Sequence, residues 1–459
     1  MGRASHSQSL HLWANGEHVG RWTVGARNIS GMELQYEPAW IDSPRGRPIS
    51  LSLPFGFDNA ALRGAAVAHY FEGLLPDSDT IRARIAKRFA TGSVDAFALL
   101  SAIGRDCVGA LQLLPEGQTP SSLNASTGVE GDRLDDAALE RQLLRAVSPM
   151  QFGSSDNVVE ADADDDFRIS LAGAQEKHAF LWWQGQWMKP RGATPTTHIF
   201  KLPLGLIGGM QADFRGSVDN EWLCLRILKA YGLPVANAEI ATFGRQRVLV
   251  VERFDRVVSS DGRRLLRLMQ EDFCQATGKS PLLKYEAEGG PGLAELFTIT
   301  RQSDNAQADM ATLMAAQIVF WMLRAPDGHA KNFSIQLQAG PAGRFHLAPL
   351  YDVMSAWPIV GKAAGQWPEQ SIKLAMALLG TQRHYNMHGI QRRHFNSTAK
   401  RVGYGPNAEA LLQQLLAQTP QVIAQVGAAL PKGFSQQVAD TVLGGLGKSA
   451  AALENNAPT

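Results

Sequence analysis

Three side chains in the second half of the chain have the types and spacing for phosphoryl transfer. Asp327 and Asn332 lie five positions apart in the polar segment Arg324-Ala-Pro-Asp-Gly-His-Ala-Lys-Asn-Phe-Ser334, and Tyr351-Asp352-Val353 follows twenty residues after Asn332. Moving a phosphoryl group needs little covalent help; it needs the phosphates cradled, their charge neutralised and the acceptor hydroxyl oriented. A carboxylate can take the proton of that hydroxyl, while an amide oxygen and a second carboxylate can share one Mg²⁺. The spacing by itself also fits a plain Asp-Gly turn at Asp327, with Asp352 as an unrelated cap. What would unite the three is a hairpin: Phe333 to Leu337 and Phe345 to Ala348 alternate like strands, and pairing them would bring Asp352 back beside Asn332.

Three further segments supply what the phosphates would need. Ser170-Leu-Ala-Gly-Ala-Gln-Glu-Lys177 is a turn of small residues that leads into a strand, so backbone N–H groups can approach an anion there. With one glycine it is no G-x-G-x-x-G, and taken alone it reads as an ordinary turn. Lys201 stands in the apolar strand Ile199 to Leu202, where a buried stem leaves its ammonium in need of a partner. An ATP phosphate would serve, and so would Glu221 on the next helix; exposure of either residue is the bland alternative. Val250 to Arg256 runs from a buried strand into a polar segment, a place where backbone groups could meet an adenine edge.

These groups need a scaffold, and the apolar spacing predicts an α+β one. Leu10 to Trp13 and Val19 to Val24 read as strands joined at Asn15-Gly16. Asn59 to Leu75 and Asp79 to Leu100 read as helices, the second capped by Asp79, with Pro76 as a stop between them. Pro115 to Asp132 is a Gly/Ser/Thr/Pro connector, followed by a short helix at Leu134 to Val147. The acidic run Glu160 to Asp166 lacks the glycine and closing glutamate of a calcium loop and reads as solvated charge. Strands at His178 to Trp183, Trp187 to Lys189, Ile199 to Leu202 and Val248 to Glu252 surround an amphipathic helix at Val218 to Tyr231. Long helices follow at Asp304 to Arg324, Ala408 to Leu430 and Gln436 to Leu453.

Composition narrows the class. The 459 residues are 45% hydrophobic, enough for two or three packed domains, and 44 Lys plus Arg nearly balance 43 Asp plus Glu. No global charge draws the molecule to nucleic acid or membrane, so any basic surface is local, as in Arg383 to Arg401. Cys107, Cys224 and Cys274 are an odd set among apolar neighbours, which suits buried thiols. No apolar leader follows Met1, and no run of eighteen unbroken apolar residues occurs, which predicts a cytoplasmic protein without a membrane partner.

The motifs RISLAGAQEK (168–177), PTTHIFKLP (195–203), VDNEWLCL (218–225), VERFDR (251–256), KYEAEGGPG (284–292), DGHAKNFSI (327–335) and YDVMSAWP (351–358) stand in an order that resembles one known family. It is that of the HipA-type serine/threonine kinase toxins of bacterial toxin–antitoxin systems. The resemblance covers roughly 150–400, and the N-terminal region looks like that family's N-terminal subdomain. It implies a protein-kinase-like two-lobed fold: a HipA-like N-terminal subdomain at 1–125, a kinase N-lobe with the phosphate loop at 126–256, and a mainly α-helical C-lobe at 257–459. It implies ATP and Mg²⁺ as cofactors, Asp327 as catalytic base, Asn332 and Asp352 as Mg²⁺ ligands, and Lys201 on the ATP phosphates. Ala172, Gly173, Ala174, Gln175, Glu176 and Lys177 would form the phosphate loop. The backbone of Glu252, Arg253 and Phe254 would meet adenine, with His329, Lys331 and Tyr351 close by.

Ser170 matches the family's autophosphorylated serine, where a dianion would compete with ATP phosphates and switch the enzyme off. The implied partners are a HipB-like DNA-binding antitoxin, operator DNA through that complex, with Lys400 on its backbone, and a protein substrate. Family precedent makes that substrate an aminoacyl-tRNA synthetase, glutamyl-tRNA synthetase first. A small-molecule kinase and a catalytically weak nucleotide-binding corepressor are the alternatives. The chain has neither the H-R-D nor the D-F-G of protein kinases, and the 124–166 insert finds no match.

Overall fold

Asn15 and Gly16 both take positive φ (49° and 88°), the conformation of a two-residue hairpin turn, and so join the strands Gln8–Ala14 and Glu17–Val24. The computed structural model describes residues 8–25, 31–123, 128–147, 175, 177–207, 212–340 and 343–455. Two compact units result: Met1–Leu202 with Ala241–Glu271 and Leu337–Gly343, and Pro203–Ile240 with Asp272–Gln336 and Arg344–Thr459.

The two larger sheets of the first unit are five- and six-stranded. In one, Leu62–Arg63, Met32–Tyr36, Glu17–Val24, Gln8–Ala14 and Leu111–Pro115 lie side by side, all antiparallel. Trp22 from this sheet stacks on Phe71 of the helix Ala65–Gly73, ring centroids 3.9 Å apart. The helix predicted from Asn59 is shorter because Leu62–Arg63 is taken as an edge strand. The run predicted over Asp79 to Leu100 is two helices, Asp79–Arg88 and Ala96–Ile103. Ala90 and Gly92 turn left-handed between them and Asp95 caps the second, while the first is capped by Ser78 and not Asp79, whose charge sits in the first turn.

The second sheet orders Gln246–Glu252, His198–Lys201, Lys177–Trp183, Gln186–Pro190 and Gly131–Arg133, with Ala238–Phe243 beyond the first of these. Its apolar face is filled by Phe180, Phe200, Val248 and Val250 against Leu139 and Leu143 of the helix Asp136–Val147. Part of the expected connector and insert is therefore structural. Gly131–Arg133 gains a partner strand, and the helix behind it buries two leucines in the core, a gain of about 1.5–3 kcal/mol each.

The second unit is mainly helical. Ala306–Leu323 is apolar and long enough to cross a membrane by composition, yet it is a core helix, with Leu313 to Leu323 buried without interruption. Ser217–Ala230 was expected to be amphipathic. It is buried almost all round, Asp219, Asn220 and Glu221 included, as befits a helix enclosed by its own unit. Its end is tied to the helix Glu409–Ala428 by the Tyr231 hydroxyl, 2.7 Å from Thr419 Oγ1. The helix Gln436–Glu454 closes the unit.

Candidate active site

The long helix Ala306–Leu323 ends where its sequence says it must. Pro326 disfavours further helix, and Arg324 takes the left-handed cap (φ 51°). A side chain in that conformation is uncommon. Here it is held by the guanidinium, which donates to the Trp321 carbonyl (3.0 Å) and lies over the rings of Trp321 and Trp357. The chain then turns sharply through Asp327. Gly328 packs so closely on Phe320 that a Cβ would stand 2.6 Å from the ring.

Within this turn the backbone of Asp327 is a hub. Its carbonyl accepts from the amide of His329 (2.8 Å) and from the side-chain nitrogen of Asn332 (2.7 Å). The Asn332 amide nitrogen is thereby committed, and its oxygen, the atom a hard cation requires, has no donor among the described residues. The Asp327 carboxylate is 42% exposed, with Oδ1 accepting from the Tyr285 hydroxyl and lying 3.5 Å from His329 Nε2. His329 is buried, and burial holds its imidazole below the ordinary range against the pull of Asp327, so it is neutral at pH 7. Its Nδ1 is buried without a hydrogen-bond partner among the described residues.

The predicted hairpin is present: Ser334–Leu337 pairs with Phe345–Leu347, and Ala348 donates to the Ser334 carbonyl at 2.8 Å. The return is sealed by Tyr351, whose hydroxyl meets Ser334 Oγ (2.6 Å) and the Lys331 carbonyl (2.8 Å) and is kept protonated by burial. Tyr351 and Lys331 thus join the Asp327 segment as structural neighbours. Asp352, next in sequence, has φ 58°, a left-handed conformation that Asp tolerates better than most residues. Ser355 fixes the following backbone by exchanging bonds with Asn220 (2.7 and 2.8 Å) and donating to the Leu323 carbonyl. Among the described residues no group of three or more His, Cys, Asp or Glu could hold a metal alone. Asn332 and Asp352 suit Mg²⁺, which keeps waters and borrows phosphate oxygens.

Lys201 belongs to the first unit and is buried. Strand register sets it directly opposite Lys177. Gln175 donates to the Leu202 carbonyl at 2.7 Å. Ser170, Ala172, Gly173, Ala174, Glu176 and the acidic run 160–166 lie outside the described residues. Of the three predicted adenine-facing residues, Glu252 is exposed and Phe254 half-buried. Arg253 is occupied: its amide donates to the Thr197 carbonyl (2.8 Å), and its guanidinium binds Asp255 and Asp106.

That guanidinium belongs to a cluster that pattern reading misses. Asp106 accepts from Arg256 (2.8 Å), Arg253 (3.2 Å), Arg267 (3.3 Å) and the Thr196 hydroxyl (2.7 Å), and Asp255 accepts from Arg253 and the Gly109 amide. Burial alone would raise the Asp106 carboxyl, but the three guanidiniums override it and hold it far below the usual range. Burial lowers Arg267 to about 10. The one signal in sequence is R-F-D-R directly after a buried strand.

The basic stretch is partly used internally. Arg383 pairs with the buried Glu286, Arg392 with Glu409, and His384 stacks on His394, whereas Lys400 is exposed on the helix Arg392–Arg401. All three cysteines are free and buried.

Comparison with known proteins bears on this arrangement. The HipA-like C-terminal domain family matches residues 169–423, and the HipA N-terminal domain family matches residues 10–114. A putative kinase, Y4mE of Sinorhizobium fredii, is 32% identical over 421 residues, 91% of each chain. The serine/threonine-protein kinase toxin HipA of Shewanella oneidensis is 26% identical over 353 residues, 74% of each chain. Among solved structures, the Shewanella oneidensis complex of HipA, HipB and operator DNA contains a chain that aligns with a TM-score of 0.74 at 22% identity, covering 97% of both. The two family matches span the Asp327, Asn332 and Asp352 segments as well as the N-terminal sheet, and with the 32% identical relative they place this mixed α/β chain in the HipA family.

Proposed function

We propose that this protein is an ATP- and Mg²⁺-dependent serine/threonine protein kinase acting as the toxin of a toxin–antitoxin pair. The observation that carries it is the Asp327 turn. One backbone carbonyl holds His329 and Asn332 in place, leaving a 42% exposed carboxylate and an amide oxygen with no donor among the described residues. Two of the relatives are named as kinases, one of them as a toxin. In the proposed step the acceptor serine oxygen forms a bond to the γ-phosphorus, the bond to the ADP oxygen breaks, and the serine proton passes to Asp327. Bound Mg²⁺ supplies charge neutralisation on the phosphates, with Asn332 and Asp352 to hold it. Lys201 and Lys177 are the proposed cations for the phosphates, and the backbone of Glu252 and Phe254, flanking the committed Arg253 amide, the proposed edge for adenine. A two-lobed kinase fold, with an N-terminal subdomain at 1–125 and lobes at 126–256 and 257–459, is part of the same proposal.

The substrate is proposed to be a translation component, an aminoacyl-tRNA synthetase and first of all glutamyl-tRNA synthetase. Ser170 is the proposed site of silencing by autophosphorylation. A HipB-like antitoxin, and operator DNA touched by Lys400, are the proposed partners in a cytoplasmic complex; the solved structure of the Shewanella protein holds both kinds of partner.

The test is peptide mass spectrometry of the purified chain after Mg-ATP, beside Asp327→Ala and Ser170→Ala. The expected result is one phosphate on Ser170 in the parent chain and none in the Asp327 variant. A parent chain that binds ATP yet transfers nothing to itself or to lysate proteins would replace the kinase with a nucleotide-binding corepressor.

A further inference from the structure

The motif Lys284-Tyr-Glu-Ala-Glu-Gly-Gly-Pro-Gly292 forms a turn built to hold one side chain. The carbonyl of Tyr285 accepts from the amides of Glu288 and Gly290, both at 3.0 Å. Two glycines are required by close approach. A Cβ on Gly290 would stand 2.1 Å from the Leu283 carbonyl oxygen, and one on Gly292 would stand 2.4 Å from the carboxyl carbon of Glu286. Glu286 is buried, accepts from the Ala377 amide (2.6 Å) and pairs with Arg383 (3.1 Å), which fastens the turn to the strand Lys373–Leu379. A buried carboxylate is tolerated when it is bonded in this way.

The product of this construction is the position of Tyr285. Its hydroxyl donates to Asp327 Oδ1, and its ring stands edge-on to His329, centroids 5.0 Å apart at 88°. His329 Nε2 faces the same oxygen. Both neighbours therefore address Oδ1, and among the described residues no donor addresses Oδ2.

We propose that Tyr285 is a positioning residue for the phosphoryl transfer: by anchoring Oδ1 it fixes the rotation of the Asp327 carboxylate and presents Oδ2 to the acceptor hydroxyl. This rests on the kinase function proposed above. A carboxylate free to turn about its last torsion offers the acceptor either oxygen in many orientations, and the productive one must be selected at each turnover. A charge-assisted hydrogen bond from a held phenol removes that search.

Tyr285→Phe keeps the ring against His329 and removes only the donor. With the full chain and γ-labelled ATP, the rate of label transfer into the chain itself is measured against ATP concentration, beside thermal melting. The maximal rate should fall about ten- to a hundredfold, as loss of a hydrogen bond to a charged group allows, with the half-saturating ATP concentration and the melting temperature unchanged. A variant that transfers as fast as the parent, or one whose loss follows a lowered melting temperature, overturns the proposal. A parent chain that transfers label neither to itself nor to lysate proteins removes the kinase function itself, and the role of Tyr285 falls with it.

Discussion

Around Asp106 three arginines and two aspartates are enclosed, with Arg256 the most exposed at 9%, and the carboxylate oxygens accept from guanidinium, amide and hydroxyl donors together. Around Asp327 the carboxylate is 42% exposed, and among the described residues a neighbouring buried imidazole nitrogen has no partner and the Asn332 amide oxygen no donor. The residue types overlap, but their saturation differs. Charges taken fully out of water must satisfy one another, which leaves no valence for a ligand. A segment meant to receive phosphate, metal and a hydroxyl must keep polar atoms open, at a cost that the surrounding packing has to carry. The first cluster therefore holds residues 106–109 against 253–267 within one unit, and the second is where chemistry is to be sought.

The sharpest way to break this contrast is to remove one carboxylate from each cluster. Asp106→Asn leaves three guanidiniums facing the single charge of Asp255, and should cost about 3–5 kcal/mol of unfolding free energy in urea. Asp327→Asn should cost less than about 1 kcal/mol, since the side chain is half exposed. Its transfer rate should nevertheless fall about 10²- to 10⁴-fold, the contribution of a positioned general base. Similar stability losses in the two variants, with transfer intact in the second, would show that the assignment of structure to one cluster and chemistry to the other is wrong.

Acid gives the next largest effect. Asp106 and Asp255 both have folded-state pKa values below their ordinary one, held there by guanidiniums that outweigh burial. The stability they contribute is present in full above the unfolded carboxylate range and is lost as pH falls through it toward the folded values. The melting temperature of the parent chain should therefore drop steadily from about pH 5 downward, and Asp106→Asn, already weakened at pH 7, should show a shallower slope. Equal slopes in the two proteins would mean that the acid sensitivity arises elsewhere.

These clusters also mark what local pattern can and cannot reveal. Asn15-Gly16 dictates its own hairpin, and the strands after Asn332 alternate clearly enough to predict the second hairpin, whose return brings Tyr351 to Ser334 and the Lys331 carbonyl, because each depends on neighbours in sequence. Asp106 meets Arg253 across 147 positions and Tyr285 meets Asp327 across 42, and nothing in either segment announces the other. The helix Ser217–Ala230 misleads for a related reason: its spacing reads as amphipathic, but tertiary packing buries Asp219, Asn220 and Glu221. The glycines of residues 289–292 are conspicuous in sequence. The purpose of Gly290 and Gly292 is visible only once Leu283 and Glu286 are seen pressed against them.

The smallest effect separates burial from mere proximity of charge. Thr196 donates its hydroxyl to Asp106 Oδ2 (2.7 Å) and accepts from Arg253 Nη1 (2.9 Å), and its own amide also donates to Asp106 (3.0 Å). Thr196→Val deletes the two hydroxyl bonds while keeping the amide bond and the side-chain shape. Two buried charged groups each lose a bond, so about 1.5–3 kcal/mol should be lost. Arg191 and Asp132 make a shorter ion pair, 2.6 Å, at the edge of the second sheet, but their side chains are 64% and 46% exposed. Arg191→Ala should cost at most about 0.2–1 kcal/mol, and less as salt is added. If the exposed pair proved worth as much as the buried hydroxyl, distance rather than desolvation would be setting these energies, and the Asp106 cluster would lose its claim to be the more structural of the two.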